Sequence, residues 1–196
     1  MGANHHYFAV FIFSSSLCLI SACAVPVLPL SPGTLHVANS TYGIVFGHVE
    51  IQRDGFDQMA YSFGKEFGWW MTEENTGRRY VIRTLTRDGA FTVNLPAGRY
   101  RITGLMYDEG AGVWEGRVPA TLVVHAGHAT YIGTWEIGFS FAGRAGSVSA
   151  RVRNEMDKAV AELVKAYTGK PQPVLVALLE SAPEGYFSLI ELRIGQ

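Results

Sequence analysis

From Tyr42 onward apolar side chains recur at every second position, and that period constrains the fold more than any other feature. In residues 43–52, GIVFGHVEIQ, Val45, Gly47, Val49 and Ile51 alternate with Phe46, His48 and Glu50. In residues 129–141, Tyr131, Trp135, Ile137, Phe139 and Phe141 share one parity, and Thr134, Glu136 and Ser140 the other. A strand points successive side chains to opposite faces, so the period predicts strands with one buried face. The same reading extends to residues 80–86, 90–95, 99–107, 120–125, 147–153 and 186–194. Residues 173–180, PVLVALLE, suit either a strand or a short helix. Asp88-Gly89, Pro96-Ala97-Gly98 and Ala126-Gly127 supply turn chemistry between these runs and predict hairpins.

One segment breaks the period. Met156, Ala159, Val160, Leu163, Val164 and Tyr167 repeat at helical spacing, with Asn154 as a cap and Asp157 in the first turn. Gly169 and Pro171 end it, so a helix is expected over 154–168. The expected fold is mainly β: an antiparallel β-sandwich over residues 41–196 with this amphipathic helix packed on it.

Composition narrows the chemistry. The 22 glycines and 12% aromatics suit a turn-rich β protein. With 16 basic and 17 acidic side chains the formal charge is −1, and no basic run exists. Nucleic acid is captured by clustered Lys and Arg, so that partner class is set aside. Cys18 and Cys23 are the only cysteines, and both precede the β-rich part. That part therefore has no disulfide, no cysteine metal site and no thiol nucleophile.

Residues 7–20, YFAVFIFSSSLCLI, have the length of a signal-peptide apolar region and fall short of the ~20 residues that span a bilayer. Ile20-Ser21-Ala22-Cys23 resembles the lipobox of bacterial lipoproteins. The resemblance implies a signal peptide over 1–22, cleavage before Cys23, a diacylglyceryl group on its thiol and acylation of its new amine. Each buried CH₂ contributes ~0.8 kcal/mol, so two or more chains make a stable membrane anchor. The leading MGANHH carries His5 and His6 in place of Lys or Arg, and His6 excludes a myristoylation signal. Pro26, Pro29 and Pro32 follow, which predicts that 23–40 is a lipidated cysteine with a polyproline spacer of about 30 Å. Ala24, rather than Asp, after the cysteine implies by the same resemblance an outer-membrane location facing the periplasm.

GAFTVNLPAGRYRI (89–102) resembles the core hairpin of prealbumin-like sandwiches, such as carboxypeptidase regulatory-like and carbohydrate-binding-like modules. With VHAGHATYIGTWEI (124–137), the arrangement is similar to bacterial lipoproteins built on such a sandwich. Those carry no established activity, so the resemblance transfers none.

Chemistry-bearing clusters are few. His125 and His128 flank a Gly turn, but Ala126, Gly127 and Ala129 offer no further ligand, so no metal is expected. Asp108, Glu109 and Glu115 lie in a Gly-rich stretch read as a loop, where paired carboxylates could hydrolyse a glycosidic bond. Neither a Gly-x-Ser-x-Gly elbow nor a His-Glu-x-x-His helix nor a phosphate-binding loop is present. No catalytic residue and no cofactor are assigned, and the chain is expected not to be an enzyme. Trp69, Trp70 and Trp114 form the binding candidates, since exposed rings stack on sugars or anchor interfaces. The expected role is a lipid-anchored binding or envelope-assembly component, with the membrane and an envelope protein or cell-wall glycan as partners. The alternative is a carbohydrate- or peptidoglycan-binding module using those three tryptophans.

Overall fold

The computed structural model describes residues 24–35, 41–53, 56–57, 66–84, 89–108, 112–168 and 173–192. The chain opens with β1 (Val25–Val27), β2 (Gly33–Thr34), β3 (Tyr42–Arg53) and β4 (Phe56–Asp57). Next come β5 (Glu66–Glu73), β6 (Arg79–Thr84), β7 (Ala90–Pro96) and β8 (Gly98–Asp108). Then follow β9 (Gly112–Arg117), β10 (Ala120–Val124), β11 (Ala129–Ala142) and β12 (Ala145–Arg153). Helix α1 (Met156–Ala166) leads to β13 (Tyr167–Thr168), β14 (Val174–Val176), β15 (Glu180–Ser181) and β16 (Glu184–Leu192).

The protein is thus mainly β with a single helix among the described residues. Hydrogen bonding runs unbroken through β1, β6, β5, β8, β9, β16, β12, β11, β3 and β4, so the sheet rolls nearly into a barrel. Short β9 continues the sheet, pairing with β8 on one side and β16 on the other. Pairing is mixed: β3 and β11 are parallel, as are β1 with β6 and β14 with β11. The purely antiparallel sheet expected from the sequence is therefore not what forms. Alternation sets which face is buried, but it carries no information on strand direction.

The expected hairpins are corrected in the same way. Strand β7 pairs with β3 while β8 pairs with β5, β9 and β10, so the Pro96–Gly98 turn carries the chain across the core between walls. The Ala126-Gly127 turn does likewise, since β10 joins β8 and β11 joins β3 and β12. The pairings of β6 with β5 and of β7 with β3 also separate the strands on either side of Asp88-Gly89. A turn across the core and a hairpin both flank a short break with alternating strands. Tyr100 fixes the first crossing by donating its hydroxyl to the Pro96 carbonyl at 2.7 Å, a tyrosine corner.

The interior is aromatic at its centre. Trp69 stands edge-on to Phe91 at 5.1 Å and to Trp135 at 5.8 Å, and Tyr107 stacks on Phe139 at 5.5 Å. Strand β11 changes face along its length. A bulge between Tyr131 and Thr134, with Gly133 at φ +100°, turns Tyr131 outward while Ile132, Trp135, Ile137 and Phe139 point inward. The single buried parity read from Tyr131 to Phe141 is thus split by the extra residue.

A second apolar cluster lies outside the barrel. Ile44, Phe46, Ala129 and Tyr131 on β3 and β11 meet Ala159, Leu163 and Tyr167 of the helical segment. The helix runs 156–166 rather than 154–168, and Asn154 accepts from the Met156 amide at 3.2 Å just ahead of it.

Within the expected spacer of 23–40, residues 24–35 are described, and they pack on both clusters rather than standing off as a semi-rigid polyproline segment. Val25, Pro26 and Val27 pair in parallel with Tyr80, Val81 and Ile82. Leu30 donates its amide to the Thr92 carbonyl of β7 at 2.7 Å, so this strap crosses the seam left open between β6 and β7. Val25 and Val27 pack on the inner core, and Leu30 and Leu35 on the outer cluster. Burial of these apolar side chains outweighs the polyproline tendency of the three prolines.

Candidate functional site

The sequence candidates separate in space. Cys23 and Glu109 lie outside the described residues. Trp69 is 1% exposed and Trp114 6%, and Trp114 stands edge-on to Phe141 at 4.6 Å. Trp70 is half-buried on the outer face, where a Cβ on Gly104 would come within 2.9 Å of its ring. Its indole therefore fills the space that glycine leaves. Neighbouring residues on a strand face opposite ways, so Trp69 and Trp70 cannot share a platform. The three-ring surface proposed for a sugar does not form; two of its rings are core.

Asp108 and Glu115 are on strands rather than in a loop. Asp108 ends β8 and Glu115 sits within β9, with Asp108 opposite Val113 and Met106 opposite Glu115. His125 and His128 have ring centroids 6.4 Å apart, and His128 Nδ1 donates to the Ala126 carbonyl at 2.7 Å. Among the described residues no group of three or more His, Cys, Asp or Glu side chains is placed to hold a metal. No helix there is long and apolar enough to cross a membrane.

Two features escaped the sequence reading, one where β3, β11 and β12 meet the helix start and one over β3 and β7. The first is a charged network where the helix begins. Arg153 meets Glu50 at 2.7 Å, Glu136 at 2.7 Å and Glu155 at 3.0 Å. Thr134 donates its hydroxyl to Glu155 at 2.8 Å, and the Glu155 amide donates to the Tyr131 hydroxyl at 2.9 Å. The Thr134 hydroxyl, aided by Arg153, holds the Glu155 carboxyl below the usual carboxylate range. One guanidinium offsets only part of the charge of three carboxylates, and its bonds tie β3 and β11 to the junction of β12 with the helix.

The second is a half-open cavity of about 500 Å³ at the other end of the helix. Pro29 and Leu30 of the strap, Phe46, Phe91, Leu163 and Tyr167 line it, with Thr92, Glu162 and Lys165 also at its surface. Tyr167 pins the strap across it, its hydroxyl donating to the Leu30 carbonyl at 2.8 Å. The size falls in the ~300–1,000 Å³ range of small-ligand sites, and the lining is mainly apolar. One sequence signal pointed here: a solvated spacer has no use for Val25, Val27, Leu30 and Leu35.

No protein-family model matches the chain. No curated protein matches it either. Among solved structures, a leucine-rich repeat protein from Bacteroides thetaiotaomicron aligns at 18% identity with a TM-score of 0.30. The alignment covers 55% of this chain and 13% of that one, and at this score it carries no argument about fold or activity.

Proposed function

We propose that this chain is a lipid-anchored, non-enzymatic binding or assembly component of the cell envelope, held in the outer membrane by acyl chains on Cys23 and facing the periplasm. In this reading the rolled sheet is a variant of the prealbumin-like sandwich. The corner Pro96–Tyr100 supports it, because the resembling stretch GAFTVNLPAGRYRI is the one that crosses the core. The observation that carries the anchor is the position of the first strand. Strand β1 starts at Val25, two residues past Cys23, so cleavage before that cysteine leaves the described fold intact.

The binding role is placed at the cavity between strap and helix, whose apolar lining suits an apolar group of an envelope component. It is not placed at the tryptophans, two of which are enclosed.

The anchor is tested by metabolic labelling with palmitate. Label should enter the protein, disappear in Cys23→Ser, and give way to a larger precursor under globomycin. Label retained in Cys23→Ser would refute the anchor.

A further inference from the structure

We infer that one end of the barrel, formed by the turns at 74–78, 96–98 and 125–128, lies against anionic headgroups of the bilayer that holds the anchor. The inference rests on the Cys23 anchor proposed above and assigns which surface that anchor presents. Strand β1 runs parallel to β6 with Val25 opposite Tyr80, so the chain enters the fold where β6 begins. An extended chain spans at most ~3.6 Å per residue, which keeps Cys23 within about 7 Å of Val25. A free 30 Å spacer would let the body tumble, whereas this leash fixes the facing end.

Backbone bonds gather the turns at that end. Glu74 donates to the Arg99 carbonyl at 2.9 Å, Ala97 to Thr41 at 2.8 Å and Gly127 to Tyr42 at 2.8 Å. The charge there points outward as cation. Arg78 and Arg79 are exposed, and neither makes an ion pair among the described residues. Arg78 instead sits 5.6 Å over the Tyr80 ring. Of the nearby acids, Glu73 and Glu74 are engaged within the fold, and Glu180 lies 3.8 Å from Arg99. Glu73 turns inward to accept from the Asn75 and Thr76 amides at 3.0 and 2.7 Å. Glu74 is shared by Arg99 at 3.2 Å and Arg101 at 3.0 Å. His125 is exposed at the same end. Each Arg close to an anionic surface raises partitioning roughly fivefold, within a Debye length of the lipid.

The test uses the full-length lipidated protein in vesicles of phosphatidylethanolamine and phosphatidylglycerol carrying a headgroup energy-transfer acceptor. Donor dyes are placed through Ala97→Cys or Ala126→Cys at the proposed membrane end, and through Ala142→Cys at the far turn. The eleven residues of β8 separate these ends by roughly 35 Å. Transfer should be strong from positions 97 and 126 and weak from 142. Arg78→Glu with Arg79→Glu should reduce transfer from 126 on anionic vesicles and leave it unchanged on neutral ones. Equal transfer from both ends, in protein whose intact mass shows acylated Cys23, overturns the orientation and spares the anchor. An unmodified Cys23 overturns both. Unchanged transfer in the double variant overturns the headgroup contact.

Discussion

The inner core and the outer layer are built from the same kinds of residue but by different means. Inside, long strands enclose Trp69, Tyr100, Tyr107, Ile51 and Met71 almost completely, each side chain held by neighbours on several strands. Outside, one helix and the strap cover Phe46 and Tyr131 yet leave about 500 Å³ unfilled beside them. A sheet closed on itself excludes solvent through its own ladder. A layer made of one helix and one extended segment packs tightly only where they touch. The apolar cavity is therefore a consequence of how the second layer is assembled, and it lies where the strap passes the end of the helix.

Substitutions can break or sharpen this contrast. Trp69→Ala removes the ring that Phe67, Phe91 and Trp135 surround, and should cost about 3–5 kcal/mol in chemical denaturation. Leu163→Ala in the outer layer should cost only about 2 kcal/mol, because its site already borders empty space. Equal losses for the two would mean the layers do not differ. Tyr167→Phe deletes the bond to the Leu30 carbonyl and should cost about 1 kcal/mol while making the strap more open to amide exchange. Unchanged exchange at residues 25–30 would show that the strap is held by packing alone.

The smallest effect is that of acid. The Glu73 carboxyl is held below its usual value of 4.5, first by the Thr76 hydroxyl and then by the Asn75 amide. Glu155 is depressed likewise, first by Thr134. Groups depressed in the folded state bind protons more tightly when unfolded, so stability falls as pH drops below 4.5 through the folded values. Thr76→Val and Thr134→Val should each flatten the slope of denaturation midpoint against pH in that range. An unaltered slope would mean these hydroxyls do not set the carboxyl affinities.

Much of the architecture was legible in residue order, for identifiable reasons. Strands β3, β7, β8 and β11 alternate because one face meets the core and the other meets solvent or the helix. Strand β5, EFGWWMTE, shows no alternation, since Trp69 and Trp70 put large rings on both faces and Gly68 interrupts the pattern. Strand β9 reads as a loop in the sequence because Gly112 and Gly116 bound Trp114 and Glu115 within six residues. Which strands pair was not legible, because Tyr80 meeting Val25 or Ile44 meeting Ala129 joins distant segments. The cavity and the Arg153 network depend on the same long-range pairings. Neither could be read from spacing along the chain.

The strap has a consequence for the order of events during synthesis and export. Leu30 finds the Tyr167 hydroxyl 137 positions downstream, and Val25 finds Tyr80 only after the intervening segments have been made. A polypeptide delivered amino end first must keep Val25 unpaired until Tyr80 has followed, and Leu30 without this partner until Tyr167 has. The bond that pins the strap to the helical segment is then among the last that the chain can form.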